Sequence, residues 1–555
     1  MAQRFPKLFL LLLGALFILN LLQSHFTQLI YDESYYWYYA QNLAWGYFDH
    51  PPMVALMIKI SSKLFDGELG VRFISCLLSV GTYVLIWSMV GKPKKNTEIW
   101  LLAALLFSMP LFNAYGFLTL PDTPLLFFTA LFLYCYRKFL GEPTVVYSIF
   151  LGLSMAGLMY SKYHAVLVIV FVIVSNWKLV LNKHAWLAVF VSLVCYLPHI
   201  LWLYHYDFVT IKYHLFERPN HAYDFAEFTL GYFLNLIIIF GLLFVWFYWA
   251  LFKNLKSKDL FVKALVYLSL GIIVFFFVSS FDRRVQTQWV VVICVPMAIL
   301  THRFITAQKI NVRWVFRLAI VSCAILLFAR VGLVYEPLFP VHYETHGNKE
   351  WTNELREKSN GVPVVFENSY RRASMYAFYT DVPTFSLNNI HFRLNQYSID
   401  SSETKVQHKN IVYVTQYAKK GDINYSHPDG TVDYGFFRRD FESFRKLECI
   451  LQEKPIDLNK TEISVKIYNP YDEDIDFDKL RLFMAYLNEY KQLLKKSQLP
   501  ISEHSIPETL KSKDTLEVLY KLPQQNVEDA AYVKFGISEN GLQPGINSPS
   551  IKIKS

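Results

Sequence analysis

Residues 8–29 of this chain read LFLLLLGALFILNLLQSHFTQL, an apolar run that decides which kind of fold the sequence can adopt. A helix needs about 20 apolar residues to cross the hydrocarbon core of a bilayer, and this run is long enough. Comparable runs recur through residues 69–335, whereas Asp, Glu, Lys, Asn and Ser reach ordinary frequencies from Pro340 onward. The sequence therefore predicts a polytopic α-helical membrane domain over residues 1–335 and a water-soluble remainder.

The composition supports this division and argues against nucleic acid as a partner. The chain is 54% hydrophobic and only 18% charged, whereas a soluble chain carries about a quarter charged residues. The net charge is +9, but the basic residues of the first 335 positions lie between apolar runs, where membrane topology requires them. Of the six cysteines only Cys449 lies in the soluble part, so neither a disulfide framework nor a zinc knuckle is predicted.

About eleven segments are long enough to cross a membrane. They span residues 8–29, 69–90, 98–117, 122–140, 144–160, 164–181, 184–204, 228–252, 260–280, 288–305 and 314–335. Lysine and arginine concentrate in the even-to-odd connections, and the odd-to-even connections are acidic or mixed, so the former belong in the cytoplasm. This pattern predicts a cytoplasmic amino terminus and places residues 340–555 outside the cytoplasm.

The first outer connection, about residues 30–70, is dense in aromatic and acidic residues. It reads YDESYYWYY over residues 31–39 and WGYFDHPP over residues 45–52. Tyrosine and tryptophan favour the membrane–water boundary, because an apolar ring and a polar tip are both satisfied there. We expect two short interfacial helices at 34–44 and 53–64, separated at residues 46–52 because two prolines cannot continue a helix.

Several acidic residues on this predicted outer face have two interpretations each. Asp32 either caps the first interfacial helix or acts as a catalytic carboxylate whose basicity is raised by desolvation. Glu33 beside it is no more informative alone. Asp122, within LPDTP at residues 120–124, either begins a helix or adds a further carboxylate to the same face.

Four basic side chains share this face. Lys162 either snorkels to the boundary or binds a phosphate. Arg283 and Arg284 form a second outer cation pair, and His50 either contacts a phosphate or hydrogen-bonds a loop carbonyl. Charges at the edge of the hydrocarbon are costly, so their convergence on one face favours a functional site over chance.

The order of these motifs resembles the type C glycosyltransferases, in the branch of the protein O-mannosyltransferases and the lipid A aminoarabinose transferases. The resemblance covers roughly residues 5–335 and is carried by YDESYYW at 31–37, GYFDHPP at 46–52, LPDTP at 120–124 and SKY at 161–163. It implies the type C glycosyltransferase fold in an integral membrane protein, here expected in a bacterial inner membrane. It also implies transfer of a sugar from a polyprenyl-phosphate-linked donor to an acceptor hydroxyl outside the cytoplasm, and direct displacement predicts inversion.

The resemblance also implies roles for individual residues. The catalytic base falls on Asp32, its neighbour is Glu33, and the further carboxylates fall on Asp49 and Asp122. Lys162 would contact the donor phosphate, and the residues that could assist it electrostatically are His50, Arg283 and Arg284. Where the aminoarabinose branch has a basic residue and a lysine, this chain has Tyr35 or Tyr36 and His50, so the particular sugar and acceptor do not carry over.

Tyr35 and Tyr36, with His214 and Arg218, are the candidate substrate or lid contacts. His214 and Arg218 lie in the outer connection at residues 204–228, which is long enough to close over a substrate or to touch an acceptor. Its histidines and aspartates could bind a divalent metal, but their spacing matches no ligand motif on one helix face. No metal or other cofactor is therefore assigned.

The soluble part divides into an α/β domain at 340–454 and a small β-rich, sandwich-like domain at 455–555. Residues 362–366, 410–414, 462–468 and 531–537 are predicted strands, and residues 351–359 and 478–495 show helical patterns. The cluster ENSYRR at 367–372 either contacts a substrate or forms a solvated loop. We expect this half to position the acceptor.

Two other functions fit a helical membrane bundle. A lipid-carrier transporter or flippase would place charges near the midplane on broken helices related by an internal repeat, whereas these charges sit at one end. An assembly subunit without activity would keep only the scaffold, and the intact acid set with Lys162 argues against it. The expected partners are membrane lipids, the polyprenyl-phosphate sugar and a lipid, glycan or protein acceptor.

Overall fold

The computed structural model describes residues 5–339, 342–502, 508–525 and 527–554. Contacts divide the chain into two compact units, one made of Met1–Asp207 with Tyr223–His346 and the other of Phe208–Ala222 with Gly347–Ser555. The sequence predicts a single domain over residues 1–335, whereas contacts place the middle of the connection at 204–228 in the second unit. Pro340, the predicted start of the outer domain, lies outside the described residues.

The first unit is helical. Its α-helices are Lys7–Phe26, Tyr31–Gln41, Met53–Ser61, Gly67–Met89, Asn96–Phe107, Pro110–Ala114, Asp122–Gly141, Val145–Ser161, Ala165–Ser175, Lys183–His205, Gly231–Ile238, Phe244–Asn254, Leu260–Ser279, Cys294–Ala307 and Arg313–Gly332. Shorter turns of 3₁₀- or π-helix lie at Trp177–Leu181, Phe225–Leu230, Gly241–Leu243, Thr287–Trp289, Val291–Ile293 and Glu336–Leu338. Each predicted crossing coincides with one or more of these helices.

Five of the described helices are long and apolar enough to cross a membrane, or six if one bent pair is a single span. Several other predicted crossings are shorter, because their helices break inside the apolar run. Pro110 breaks the predicted crossing at 98–117 because it has no backbone N–H to donate. The chain is an integral membrane protein, and the count of eleven crossings stays a prediction.

The predicted crossing at 228–252 coincides with two helices that meet at a sharp bend. Phe225–Ile238 and Gly241–Asn254 are bent by 93°. Gly241 lies at the bend with φ +56, a backbone conformation that costs little only without a side chain, and a Cβ there would lie 3.1 Å from the carbonyl oxygen of Ser108. Apolar composition alone could not reveal this, because a bent and a straight helix bury similar side chains.

The two short helices of the first outer connection are confirmed as Tyr31–Gln41 and Met53–Ser61. Between them lies Gly46, packed face-on against the indole of Trp202, where a Cβ would approach ring atoms to 2.3 Å. Tyr47 stacks on Tyr39 with ring centroids 4.3 Å apart and planes 3° from parallel. The break is therefore a packed turn that sets the position of the residues following it, including Asp49.

A buried arginine joins three parts of the first unit far apart in sequence. Arg330, on Arg313–Gly332, donates from Nε to Asn113 Oδ1 and from Nη2 to Asn20 Oδ1, each at 2.8 Å. Its guanidinium also lies 4.4 Å from the ring centroid of Phe117. Because a charge inside a membrane bundle is costly without partners, this network restricts the relative placement of the first and last helices.

The second unit contains the strands of the described chain. They are β1 (Val364–Glu367), β2 (Thr384–Leu387), β3 (Lys409–Thr415), β4 (Ile423–Ser426), β5 (Val432–Phe441), β6 (Glu448–Ile450), β7 (Glu462–Tyr468), β8 (Ile475–Asp476), β9 (Leu480–Leu487), β10 (Leu493–Gln498), β11 (Thr509–Leu510), β12 (Thr515–Lys521), β13 (Tyr532–Glu539) and β14 (Ile551–Lys552). Its α-helices are Val209–Lys212, Asn348–Lys358, Tyr370–Thr380 and Gln396–Ile399, with short turns of 3₁₀- or π-helix at Tyr213–Glu217, Glu403–Lys405 and Phe477–Lys479.

The first half of this unit is α/β, as predicted. A five-stranded sheet has the order β2-β1-β3-β5-β4, with β1 parallel to β2 and β3 and the remaining pairs antiparallel. The cluster at 367–372 is not a solvated loop, because Glu367 ends a buried strand and Ser369 caps the helix Tyr370–Thr380 by accepting from the backbone N–H of Arg372.

The second half is β-rich, with sheets ordered β10-β9-β13-β14, β12-β7-β6 and β11-β8. The helical pattern predicted at 478–495 is wrong, since residues 480–487 form β9 and pair antiparallel with β13 along its length. Leu480, Leu482 and Met484 are buried at every second position, as in a strand. A short apolar segment of this kind is also compatible with a helix when it is read from sequence alone. Pairing with a strand some fifty residues away decided the conformation, and local sequence could not show it.

Candidate active site

A fully buried ion pair anchors the first short helix of the outer connection. Glu33 accepts from Arg72 Nε at 2.8 Å and from the backbone N–H of Thr119 at 2.9 Å, and both charged side chains are 0% exposed. Arg72 Nη1 in turn donates to the carbonyl oxygen of Ser24 at 3.2 Å. Since these partners lie on separate segments, Glu33 fixes the Tyr31–Gln41 helix to the rest of the unit.

Asp32 lies one residue earlier, in the first turn of the same helix, and its side chain is half-buried. The capping interpretation of Asp32 is wrong: Ile30 occupies the capping position, and Glu33 reaches back to the backbone N–H of Ile30 at 3.3 Å. The phenol of Tyr115 lies within electrostatic range of both Asp32 and Asp122. Both carboxylates therefore lie in the surroundings of Tyr115.

Asp122 and Lys162 form a second buried ion pair. The Lys162 ammonium donates to the two carboxylate oxygens at 2.8 and 3.0 Å, and the side chains are 8% and 5% exposed for Lys162 and Asp122. Asp122 begins the helix Asp122–Gly141, and Lys162 follows the end of Val145–Ser161. The helix-start interpretation of Asp122 is therefore confirmed, its role as a site carboxylate stays a prediction, and Lys162 pairs with it inside the unit.

Asp49 is buried against the tyrosines of the helix Tyr31–Gln41. It accepts hydrogen bonds from Tyr35 Oη at 3.1 Å and from Tyr39 Oη at 3.4 Å. Tyr36 is also buried and lies edge-on to the ring of His50, with centroids 5.5 Å apart. Tyr35 thus positions Asp49, and the pair Tyr36–His50 lies beside it.

His199 links the outer connection to the turn that carries Lys162. It is 0% exposed, its Nδ1 lies 2.6 Å from the carbonyl oxygen of Trp45, and its Nε2 lies 3.1 Å from Tyr163 Oη. With Nδ1 donating to the carbonyl, Nε2 accepts from the tyrosine hydroxyl. The residue after Lys162 is therefore held in place by a polar chain.

The remaining predicted cations lie at the exposed surface of the first unit. Arg283 pairs with its neighbour Asp282 at 3.1 Å, and Arg284 pairs with Glu227 at 3.2 Å. Exposed pairs of this kind contribute little to stability, and their long side chains can rearrange towards an anion. The structure does not join them to the Asp122–Lys162 pair.

His214 and Arg218 lie in the second unit rather than with the other candidates. Between them Glu217 accepts from Ser550 Oγ at 2.7 Å and pairs with Lys534 at 3.2 Å. Burial alone would raise the pKa of Glu217, but Lys534 and Ser550 outweigh it and hold that pKa below its ordinary value. The segment Phe208–Ala222 is therefore fastened to the second unit by an ion pair.

Two contacts of this site escaped the sequence analysis. Arg72 had a usable signal, because it is a lone arginine in the predicted crossing at 69–90, where a charge is rarely without a function. Glu344 accepts from the backbone N–H of Tyr31 at 3.4 Å. No sequence pattern could join two residues more than three hundred positions apart.

Comparison with known proteins agrees with this architecture. Residues 49–202 match the profile of the family described as dolichyl-phosphate-mannose-protein mannosyltransferase. Lipid A galacturonosyltransferase RgtD of Rhizobium johnstonii is 24% identical over 290 residues, which are 49% of this chain and 60% of that protein. The chain thus spans less than two thirds of the length of this curated relative.

Two crystal structures of ArnT from Cupriavidus metallidurans share the fold. The apo structure has a TM-score of 0.53 at 14% identity, covering 74% of this chain and 92% of ArnT. The structure bound to undecaprenyl phosphate has a TM-score of 0.52 at 12% identity, covering 74% and 93%. At these identities the likeness shows that the chain shares the fold of ArnT. In residues 49–202 the chain is also similar to the dolichyl-phosphate-mannose-protein mannosyltransferases.

Proposed function

We propose that this protein transfers a sugar from a polyprenyl-phosphate-linked donor to an acceptor hydroxyl outside the cytoplasm, with inversion at the anomeric carbon. The observation that carries the proposal is the buried ion pair of Lys162 with Asp122, an acid that lies, like Asp32, in the surroundings of Tyr115. A site for this reaction needs a base for the acceptor and a cation for the leaving phosphate, and these residues supply both.

In the proposed step the acceptor hydroxyl oxygen attacks the anomeric carbon from the face opposite the phosphate. The bond from the anomeric carbon to the phosphate oxygen breaks, and the polyprenyl phosphate leaves with the electron pair. Asp32 takes the hydroxyl proton, so charge and atoms balance without a general acid. Glu33 fixes the position of the helix that carries Asp32. The hydrogen bond from Tyr35 orients Asp49, which contacts the sugar.

Lys162 is the proposed phosphate ligand. An ammonium has three N–H donors, and the two oxygens of Asp122 can engage at most two of them, so a third is available to a phosphate oxygen. Asp122 holds the side chain in one orientation before the donor arrives, which lowers the entropic cost of binding. His50, Arg283 and Arg284 are proposed to assist from the outer surface.

The proposed substrates follow from the relatives. RgtD is named a lipid A galacturonosyltransferase and one ArnT structure holds undecaprenyl phosphate, so we propose an undecaprenyl-type donor and a lipid-linked acceptor. The test incubates purified protein in liposomes with labelled polyprenyl-phosphate sugars and with lipid, glycan or peptide acceptors. Transfer supports the proposal; movement of intact donor across the bilayer without sugar transfer would identify a lipid-carrier flippase instead.

Replacing Lys162 by Met is expected to weaken donor binding. A hydrogen bond to a charged group contributes about 1.5–3 kcal/mol, so the KM for the donor should rise by roughly 10- to 100-fold. Lys162→Met alone also leaves Asp122 as a buried acid without its counter-charge. The double variant Asp122→Asn/Lys162→Met removes both charges, so any rise in KM that remains is due to the lost contact with phosphate. Lys63→Met, at an exposed lysine of the first outer connection, is the control and should keep the normal KM. An unchanged KM in both Lys162 variants would remove Lys162 from the donor site.

The proposed topology has eleven crossings, a cytoplasmic amino terminus, and the α/β and sandwich-like domains outside the cytoplasm of a bacterial inner membrane. The charge pattern of the connections supports it. A reporter enzyme that is active only outside the cytoplasm, fused after Ser555, is expected to give signal. The same reporter fused after Lys95, in a predicted cytoplasmic connection, should be silent; the opposite pattern would invert the topology.

A further inference from the structure

The described chain of the first unit continues past its last long helix in a turn that gathers one carboxylate and two imidazoles. Glu336, His342 and His346 place one ligand atom each within 4.8 Å of the others. The sequence analysis did not single out these residues. Their exposures fall in order, with Glu336 exposed, His342 half-buried and His346 buried, so the group opens to solvent on one side.

The imidazole of His346 is already oriented for coordination. Its Nε2 donates to the carbonyl oxygen of Gly332 at 2.8 Å, which leaves Nδ1 as the nitrogen with the lone pair that a metal needs. A metal-bound histidine characteristically donates its other N–H to a carbonyl or carboxylate in this way. A metal here would displace two hydrogen bonds, the long contact of 3.4 Å from the backbone N–H of Tyr343 to His346 Nδ1 and the bond of 3.1 Å from His342 Nδ1 to Glu336 Oε1.

The other two ligands are close and adjustable. His342 Nδ1 lies 3.1 Å from Glu336 Oε1, which approximates the separation of two ligands on one small cation. Tetrahedral Zn²⁺, with bonds of about 2.0–2.2 Å, holds its ligand atoms about 3.4 Å apart. The three ligand atoms lie within 4.8 Å of one another, so His346 must approach His342 and Glu336 by roughly 1 Å or a little more. Glu336 is exposed and His342 half-exposed, so their side chains can make this movement.

We infer that Glu336, His342 and His346 bind one divalent transition-metal ion, of which Zn²⁺ fits the ligand set best. Two imidazoles and one carboxylate are ligands that Zn²⁺ favours, and water would complete four-coordination. Magnesium and calcium prefer oxygen ligands and are excluded by the two nitrogens.

The site would secure a turn that touches the predicted catalytic helix. Glu344, between the two histidines, accepts from the backbone N–H of Tyr31 at 3.4 Å, directly before Asp32. Thr345 donates to the carbonyl oxygen of Leu333 at 2.9 Å, which ties this end of the turn to the end of the last long helix. The metal acts here as a positioning element for the turn, and the inference does not depend on the proposed transferase activity.

Metal content is the decisive measurement. Tag-free full-length protein in detergent micelles is stripped with a chelator, loaded with Zn²⁺ and desalted, and bound zinc is counted by mass spectrometry. About one retained ion per chain is expected for the unaltered protein. Co²⁺ in place of zinc should give the visible absorption of a four-coordinate site with nitrogen ligands.

Matched variants decide the assignment. His346→Ala and His342→Ala should each abolish retention, and Glu336→Gln, which preserves shape, should weaken binding by at least about 10-fold. His391→Ala is the control, because His391 lies 3.1 Å from the Lys496 ammonium, which would repel a dication. Zinc should also raise the melting temperature of the unaltered protein but not of His346→Ala, a comparison made on folded samples. Equal zinc retention in all variants, or none in the unaltered protein, would overturn the inference.

Discussion

Asp32→Asn is expected to reduce sugar transfer by about 10²- to 10⁴-fold while leaving expression and the melting temperature unchanged. This range is what a positioned general base contributes, and asparagine cannot accept the acceptor's proton although it nearly preserves the shape. Asp32 lies at the second position of its helix and does not cap it, so the substitution removes no capping hydrogen bond. The measurement is kcat with labelled donor, together with the KM for the donor.

Asp66→Asn is the matched control for this experiment. It makes the same change in the same outer connection, at an exposed residue that precedes the helix Gly67–Met89 and caps it with no side-chain hydrogen bond. Transfer by Asp66→Asn should stay within about twofold of normal. Near-normal turnover in Asp32→Asn would assign the base to another carboxylate, and Asp49→Asn would then be the next variant to assay.

Glu33→Gln is expected to be the most destabilising conservative substitution in the outer connection. It leaves the guanidinium of Arg72 buried without its counter-charge, and breaking a buried pair in this way costs about 3–5 kcal/mol. A clear fall in melting temperature and in the yield of folded protein should follow. The neighbouring variant Asp32→Asn should not show this fall, because Asp32 is half-buried and lies outside the pair.

A double-mutant cycle separates the pair from its surroundings. Arg72→Met alone should also destabilise the protein, and Glu33→Gln/Arg72→Met should recover part of the loss because neither buried charge is then unpaired. Glu142→Gln, at an exposed glutamate after the helix Asp122–Gly141, is the control and should change stability by no more than about 0.5 kcal/mol. Additive losses in the double variant would show that Glu33 and Arg72 stabilise the unit independently.

Asp32 and Glu33 show how much of the candidate site could be predicted from the sequence. The acidic aromatic segment after the first apolar run was recognisable, and so were Asp122 and Lys162 on the same face. By themselves Asp32 and Glu33 were equally uninformative, and Asp32 also fitted a cap; only the resemblance implied that Asp32 is the base. Burial distinguishes them, since Glu33 is fully buried and accepts from donors on distant segments, whereas Asp32 is half-buried.

The sequence by itself determined the membrane domain, the two short outer helices and the α/β character of the following region. These depend on local composition: apolar length, proline positions and runs of β-branched residues act over a few turns or strands. The strand at Leu480–Leu487 and the bend at Gly241 did not follow from it. Their conformations depend on a partner strand and on a close backbone approach from another helix.

Only the tertiary structure decided which charges meet. Glu33 with Arg72, Asp122 with Lys162, and the cluster of Glu336, His342 and His346 are each set by side chains that converge from separate segments or across a turn. Inside a membrane bundle an unpaired charge is costly, so the sequence could show that such residues need partners. It could not name them, because pairing is a property of distances in space, and those arise only when the helices pack.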